Sequence, residues 1–187
     1  GEEIEGETNI DLRGMSKTYN PKHKIMRIYF DTNADPNPEV IQTIKEADKI
    51  VFSAGDLFTS VLPHLLVAGV KEAIIAAKAK VILVLNLMTK RGETDSYKAS
   101  DYLRVFLSYL EDENRINYIV ANSNGLDKEI LKIYEKEGQE VVKVDEKACL
   151  DLAPNIKIRK ASLAVYHVRE HLLRHDPQLL ATTILEL

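Results

Sequence analysis

Along the chain the spacing of hydrophobic positions switches repeatedly between a period of two and a period of three to four. Residues 25–30 (IMRIYF) are β-branched and aromatic, and predict a strand. Asn37 followed by Pro38 predicts an N-cap with a first-turn proline, and Val40, Ile41 and Ile44 then recur at helical spacing. Residues 49–53 predict a second strand, and 71–78 a helix with Ala73, Ile74 and Ala77 on one face. Residues 80–86 predict a third strand, in which Val81, Ile82, Leu83, Val84 and Leu85 leave neither face polar. Such a run suits a parallel strand covered by helices on both sides. A helix comes next over 100–110, with Leu103, Phe106, Leu107 and Leu110 as its apolar stripe.

Residues 118–121 predict a fourth strand, Asp127 caps a helix over 128–136, and Gly138 ends it. Residues 141–144 predict a fifth strand. The tail reads as a helix over 162–173, then a short helix capped by Asp176 with Pro177. Strands alternating with helices of these lengths imply crossover connections and an α/β, Rossmann-like fold. Its sheet should be mainly parallel and doubly wound, with helices on both faces. No repeat, low-complexity tract or long linker divides the chain, so 1–187 is expected to be a single domain. Residues 11–24 are weakly patterned and predict an exposed loop or a hairpin flank.

Composition narrows the function classes. The 187 residues are 45% hydrophobic and 29% charged, an ordinary globular balance. With 25 Lys and Arg against 29 Asp and Glu the net charge is −4, without the basic surplus of a nucleic-acid binder. No apolar run approaches the roughly 18 residues of a membrane span, and residues 1–7 are acidic where a secretion signal is basic. No membrane span and no nucleic-acid partner are expected, and the low cysteine content is compatible with a reducing cytoplasm. Cys149 is the single cysteine, which excludes an internal disulfide; between Ala148 and Leu150 it reads as a small buried hydrophobe.

In sheets of this kind ligands sit beyond the carboxyl ends of the strands. Segments 53–60, 86–97 and 122–125 fall there. In the first, small residues let backbone approach a ligand, but Asp56 would repel a phosphate unless Mg²⁺ lay between them or the side chain turned to cap the next helix. In the second, Asn86 can donate and accept in one plane, Lys90 and Arg91 could neutralise a diphosphate, and Glu93 and Asp95 could grip sugar hydroxyls or a metal. A solvated loop of mixed charge is an equal reading of that segment. Arg174 either partners helix carbonyls or reaches an anionic ligand. His64, beside Pro63, is expected to pack in the core. His167 and His171 have zinc-compatible spacing on the predicted helix, yet lack a glutamate in the general-base arrangement. There is no nucleophile triad, Walker loop or Gly-x-Gly-x-x-Gly.

Taken together, these segments resemble the YvcK-like branch of the CofD/YvcK family. The stretch from Phe52 to Leu66, with Ser53-Ala54-Gly55-Asp56-Leu57-Phe58-Thr59-Ser60 at its head, is similar to the family's Gly-Pro-Gly-Ser-Leu-Tyr-Thr-Ser-x-x-Pro-Asn-Leu-Leu. Asn86-Leu87-Met88-Thr89 with Gly92-Glu93-Thr94 resembles its Asn-Leu-Met-Thr-Gln-x-Gly-Glu-Thr, and Glu7-Thr8-Asn9-Ile10 and Arg174-His175-Asp176 resemble its Glu-Ser-Asn-Ile and Arg-His-Asp. The resemblance implies a cytoplasmic UDP-sugar-binding regulatory protein, linked to gluconeogenic growth and to cell-wall and shape control, homo-oligomeric and without catalysis or cofactor. It implies Gly55, Thr59 and Ser60 on the phosphate side, with Asn86, Thr89, Glu93 and Thr94 shaping the ligand edge. Tyr134 and Arg174 would contact the nucleotide sugar. The alternatives are a CofD-type 2-phospho-L-lactate transferase, with Asp56 as a Mg²⁺ ligand, and an assembly module that binds nothing. Family members begin with a glycine-rich strand-turn-helix, and this chain resembles the portion C-terminal to that unit. The chain is therefore read as a fragment, a processed piece or one member of a split pair whose partner is an N-terminal half.

Overall fold

A computed structural model describes residues 2–187. Its centre is a four-stranded, wholly parallel sheet in the order β1-β2-β3-β4, formed by Lys49–Phe52, Lys80–Val84, Tyr118–Asn122 and Lys157–Ala161. The period-two alternation within the buried strands divides two cores. Phe52, Val81, Leu83, Ile119 and Ala121 pack against α3 (Val70–Ala76), α4 (Ala99–Leu110) and α6 (Glu146–Leu152), with Phe52 meeting Phe106 edge-on at 4.7 Å. Ile82, Val84 and Val120 face the opposite way, against Leu180 and Ile184 of α7 (Pro177–Leu185). Helices thus cover both faces, which is why β2 needs an unbroken apolar run.

The sequence-encoded caps are in place. Asn37 accepts from the Glu39 N–H to open α2 (Pro38–Glu46), Asp127 from Glu129 to open α5 (Lys128–Lys136), and Asp176 from Gln178 and Leu179 to open α7. Cys149 is fully buried, and burial pushes its thiol up to about 11.

Three expected elements are different in the structure. Residues 25–30 are extended but join no sheet: Ile25 and Ile28 pack on the core while Met26 is 89% exposed, and the Ile28 N–H donates to the Tyr109 hydroxyl at 2.6 Å. Residues 141–144 make a single antiparallel bridge, Val141 to Met88. The tail expected as a helix over 162–173 is a hairpin, β5 (Ala164–His167) paired antiparallel with β6 (Leu172–His175). The Asn122 side chain accepts from the Leu163 and Ala164 N–H groups at 2.9 and 3.1 Å, fixing the hairpin at the end of β3, and His171 makes the turn with φ 55°. His167 and His171 therefore share no helix face; His171 contacts the Tyr166 hydroxyl at 3.2 Å, and His167 lies 3.6 Å from Glu170. His64 is exposed rather than packed in the core. α6 and β4 had no expectation attached.

Candidate functional site

The turns leaving β1 and β2 lie side by side at the carboxyl end of the sheet. After β1 the chain closes a single π turn, Leu57–Val61, in which the Ser60 and Val61 N–H groups both donate to the Asp56 carbonyl, and then a 3-10 turn over Leu62–Leu66. After β2, Asn86 donates its side-chain N–H to the Gly55 carbonyl at 2.9 Å, which ties the two turns together. α5 and β6 close the opposite wall: the Leu173 N–H donates to the Tyr134 hydroxyl at 2.8 Å. Between the walls is a hollow of about 230 Å³, lined by Gly55, Asp56, Asn86, Thr89, Lys90, Tyr134, Gln139, Arg174 and His175 among others. A second hollow of about 360 Å³ adjoins it, sharing Asp56, Lys90, Tyr134, Gln139 and Arg174 and adding Ile133, Glu137, His171 and Leu172.

Five residues expected at a ligand, Gly55, Asn86, Thr89, Tyr134 and Arg174, line that first hollow. The other four stand elsewhere. Glu93 is 1% exposed, accepts from the Phe58 N–H and the Thr59 hydroxyl, both at 2.9 Å, and so pins the π turn from beneath. Its carboxylate takes an N–H at the start of that turn and ties up Thr59, on the side where a phosphate was expected. Burial pushes the Glu93 carboxyl above its usual range, against the lowering effect of those two donors. Thr94 is equally buried; its hydroxyl accepts from the Lys90 N–H at 2.8 Å and lies 3.1 Å from the Tyr102 hydroxyl. Ser60 is exposed beyond the hollow. Thr89, a lining residue of the hollow, accepts from the Glu140 N–H on its side-chain hydroxyl at 2.9 Å.

The electrostatic centre is Lys90. Its ammonium lies 2.8 Å from Asp11 Oδ1 and 3.1 Å from Asp56 Oδ2. Burial works to lower its pKa, but the hydrogen bonds and charges of Asp56 and Asp11 outweigh it and hold it above the ordinary lysine value. Asp11, Asp56 and Glu93 each bring a carboxylate oxygen to within 4.8 Å of the others. That set does not fit the Mg²⁺ implied by a transferase: two of the carboxylates already hold the Lys90 ammonium, and the third is committed to Phe58 and Thr59.

Asp11 arrives from a part of the chain with no local pattern. The segment around it is locked on by close backbone contact: a Cβ on Gly14 would lie 2.5 Å from the Arg91 carbonyl oxygen. One on Gly92, whose φ is 96°, would lie 2.5 Å from the Gly14 nitrogen. Arg13 donates to the Gly92 carbonyl, and the Arg13 and Arg91 guanidinium groups each stand 5.4 Å from the Tyr19 ring. Sequence reasoning did not single out Asp11, Gln139 or His175 at the site. Gln139 and His175 adjoin the noted Gly138 and Arg174, whereas Asp11 and Lys90 are 79 positions apart and no local signal joins them.

A parallel sheet with helices on both faces and a polar, cation-bearing hollow beyond its strand ends is a Rossmann-like α/β fold, with that hollow as its candidate site. The chain belongs to the CofD family, whose model, described as 2-phospho-L-lactate transferase CofD, matches residues 1–164. A Thermotoga maritima relative is 41% identical over 145 residues, spanning 78% of this chain and 43% of its own length. The gluconeogenesis factor of Bacillus subtilis is 31% identical over all of this chain and 55% of its own. A solved structure from Bacillus halodurans superposes with a TM-score of 0.86 at 31% identity, over 97% of this chain and 55% of that one. The chain spans about half the length of the relatives it matches. Among the described residues, no single helix is long and apolar enough to cross a membrane.

Proposed function

We propose that this chain is a nucleotide-sugar-binding regulatory protein of the YvcK-like type, taking a UDP-sugar at the hollow between the β1 and β2 turns on one side and α5 and β6 on the other. One observation carries the reading. Gly55, Asn86 with Thr89, Tyr134 and Arg174 come from four separate stretches of the sequence and line one hollow. Its chemistry suits the ligand. Leu87, Met88 and Leu173 offer apolar surface to a base, Asn86 and Gln139 offer amides, and Lys90 and Arg174 offer cations to a diphosphate. The regulatory part of the reading rests on relatives that carry the name gluconeogenesis factor. The links to gluconeogenic growth and cell shape, the cytoplasmic location and a homo-oligomeric state belong to the same proposal.

The rival reading is the transfer of a phospholactyl group by a Mg²⁺-dependent enzyme, which the description of the matching family model favours. The ammonium of Lys90 among the three carboxylates speaks against it here. Calorimetry with UDP-N-acetylglucosamine and with GDP, each with and without Mg²⁺, separates the two. The proposal requires metal-independent heat with the uridine ligand; metal-dependent heat with the guanine nucleotide alone would replace it with the transferase.

A further inference from the structure

Resting on that reading, we infer that the second hollow is the sugar subsite, so that the ligand lies across both hollows with its diphosphate at the wall they share. Size is the first argument. The inner hollow, about 230 Å³, is below the roughly 300 Å³ at which pockets begin to enclose a whole small-molecule ligand, whereas the two contiguous spaces together exceed it. A ligand seated only in the inner space would have to project into the outer one.

Charge gives the second argument. Lys90 and Arg174 line both hollows and are the lysine and arginine common to them, so the place that favours a diphosphate is the junction. Lys90 is held there by Asp11 and Asp56, while Arg174 forms no side-chain ion pair among the described residues. An anion at the junction would satisfy Arg174 and compete with Asp56 for Lys90.

The chemistry of the two ends gives the third. The inner end places Asn86 and His175 beside apolar Leu87, Met88 and Leu173, which suits a flat heterocycle with a hydrogen-bonding edge. The outer end places Glu137 and His171 beside Ile133 and Leu172. A carboxylate that accepts from hydroxyls, an imidazole, and apolar surface under a ring's C–H face suit a polyhydroxylated sugar. Glu137 closes α5 and His171 makes the β5–β6 turn, so the turn and the helix end together would set which sugar is accepted.

The test is calorimetry of the full chain with UDP and with UDP-N-acetylglucosamine, on wild type, Glu137→Ala, His171→Asn and Asn86→Ala. Asparagine is chosen at 171 because it tolerates the left-handed backbone there. Circular dichroism and thermal melts establish that each variant is folded. The expected result is that wild type binds the sugar nucleotide at least tenfold more tightly than UDP. Glu137→Ala and His171→Asn should abolish that preference and leave UDP affinity unchanged, and Asn86→Ala should weaken both ligands. Outer variants that weaken UDP as much as the sugar nucleotide, or that weaken neither, overturn the subsite while leaving the nucleotide-sugar reading intact. Wild type that binds neither ligand overturns the nucleotide-sugar reading itself, and the subsite with it.

Discussion

Glu93 separates a ligand-binding role from a structural one, and the structure gives the structural role a magnitude. Replacing it with alanine leaves the Phe58 N–H buried without an acceptor, which costs about 1–3 kcal/mol. It also removes the charge-assisted bond from Thr59 and vacates space beneath the π turn, which adds roughly 1–2 kcal/mol. The sum, about 2–5 kcal/mol, should appear as a lower urea midpoint with little change in slope. Glutamine should stay within about 1 kcal/mol of wild type, because its carbonyl can accept from Phe58 while its amide donates to the Thr59 hydroxyl. The two variants should also differ in pH dependence. The Glu93 carboxyl titrates above its ordinary value of 4.5 in the folded chain, so folding takes up a proton in the window above that pH. Its contribution is therefore full below 4.5 and is lost as the pH rises through the folded value. Relative to wild type, Glu93→Gln should gain stability as the pH rises above 4.5. The reasoning is refuted if glutamine destabilises as much as alanine, or if the gap between glutamine and wild type does not move with pH.

Three further outcomes rest on the same structure. Arg115 donates to the carbonyls of Ile74, Ala77 and Ala79 at 2.7–2.9 Å and to Asn117 at 3.3 Å, so Arg115→Met should cost about 2–4 kcal/mol and lower Tm by roughly 4–16 °C; an unchanged calorimetric melt would contradict this. Gly14→Ala should cost about 1–3 kcal/mol through its clash with the Arg91 carbonyl, and a neutral urea midpoint would show that the N-terminal segment is not packed as described. Lys90→Met should lose about 1 kcal/mol at pH 7, a modest figure because the ion pairs are partly exposed. The Lys90 pKa is raised by folding, so the wild-type advantage is full below the unfolded lysine value and should fade as pH climbs above about 10.5; a gap that persists in alkali excludes ionic compensation as its source.

Much of the frame was legible because its causes are local. Five apolar residues in a row marked β2 as buried on both faces, and Asn37, Asp127 and Asp176 marked the starts of α2, α5 and α7 through bonds made within three residues. The tail was not legible for the opposite reason. Residues 162–173 carry no helix-breaking residue, and what makes them a hairpin is the Asn122 side chain and the Tyr134 hydroxyl, each about 40 positions away. Residues 25–30 have strand composition, but Ile28 finds the Tyr109 hydroxyl instead of a neighbouring strand.

At the site, polar residues on the expected turns could be named from the sequence, but their directions could not. Glu93 and Asn86 are both polar and leave the same strand. One turns inward to hold the π turn and the other lines the hollow. Burial decides between such roles, and burial depends on the Gly14–Gly92 crossing and on the packing of α4, both long-range. The place of Asp11 beside Lys90, 79 positions away, was not legible for the same reason.

The central claim is that the turns after β1 and β2 share one ligand hollow with α5 and β6. It is tested most directly by ¹H–¹⁵N chemical-shift mapping of the full chain during titration with UDP-N-acetylglucosamine. The expected result is saturable shifts at the Gly55 amide, the side-chain amides of Asn86 and Gln139, and the backbone of Tyr134 and Arg174, with α2 unmoved. Saturable shifts on α2 or the outer face of β4, with Gly55, Asn86 and Arg174 unmoved, would contradict it, as would a spectrum unchanged by millimolar ligand.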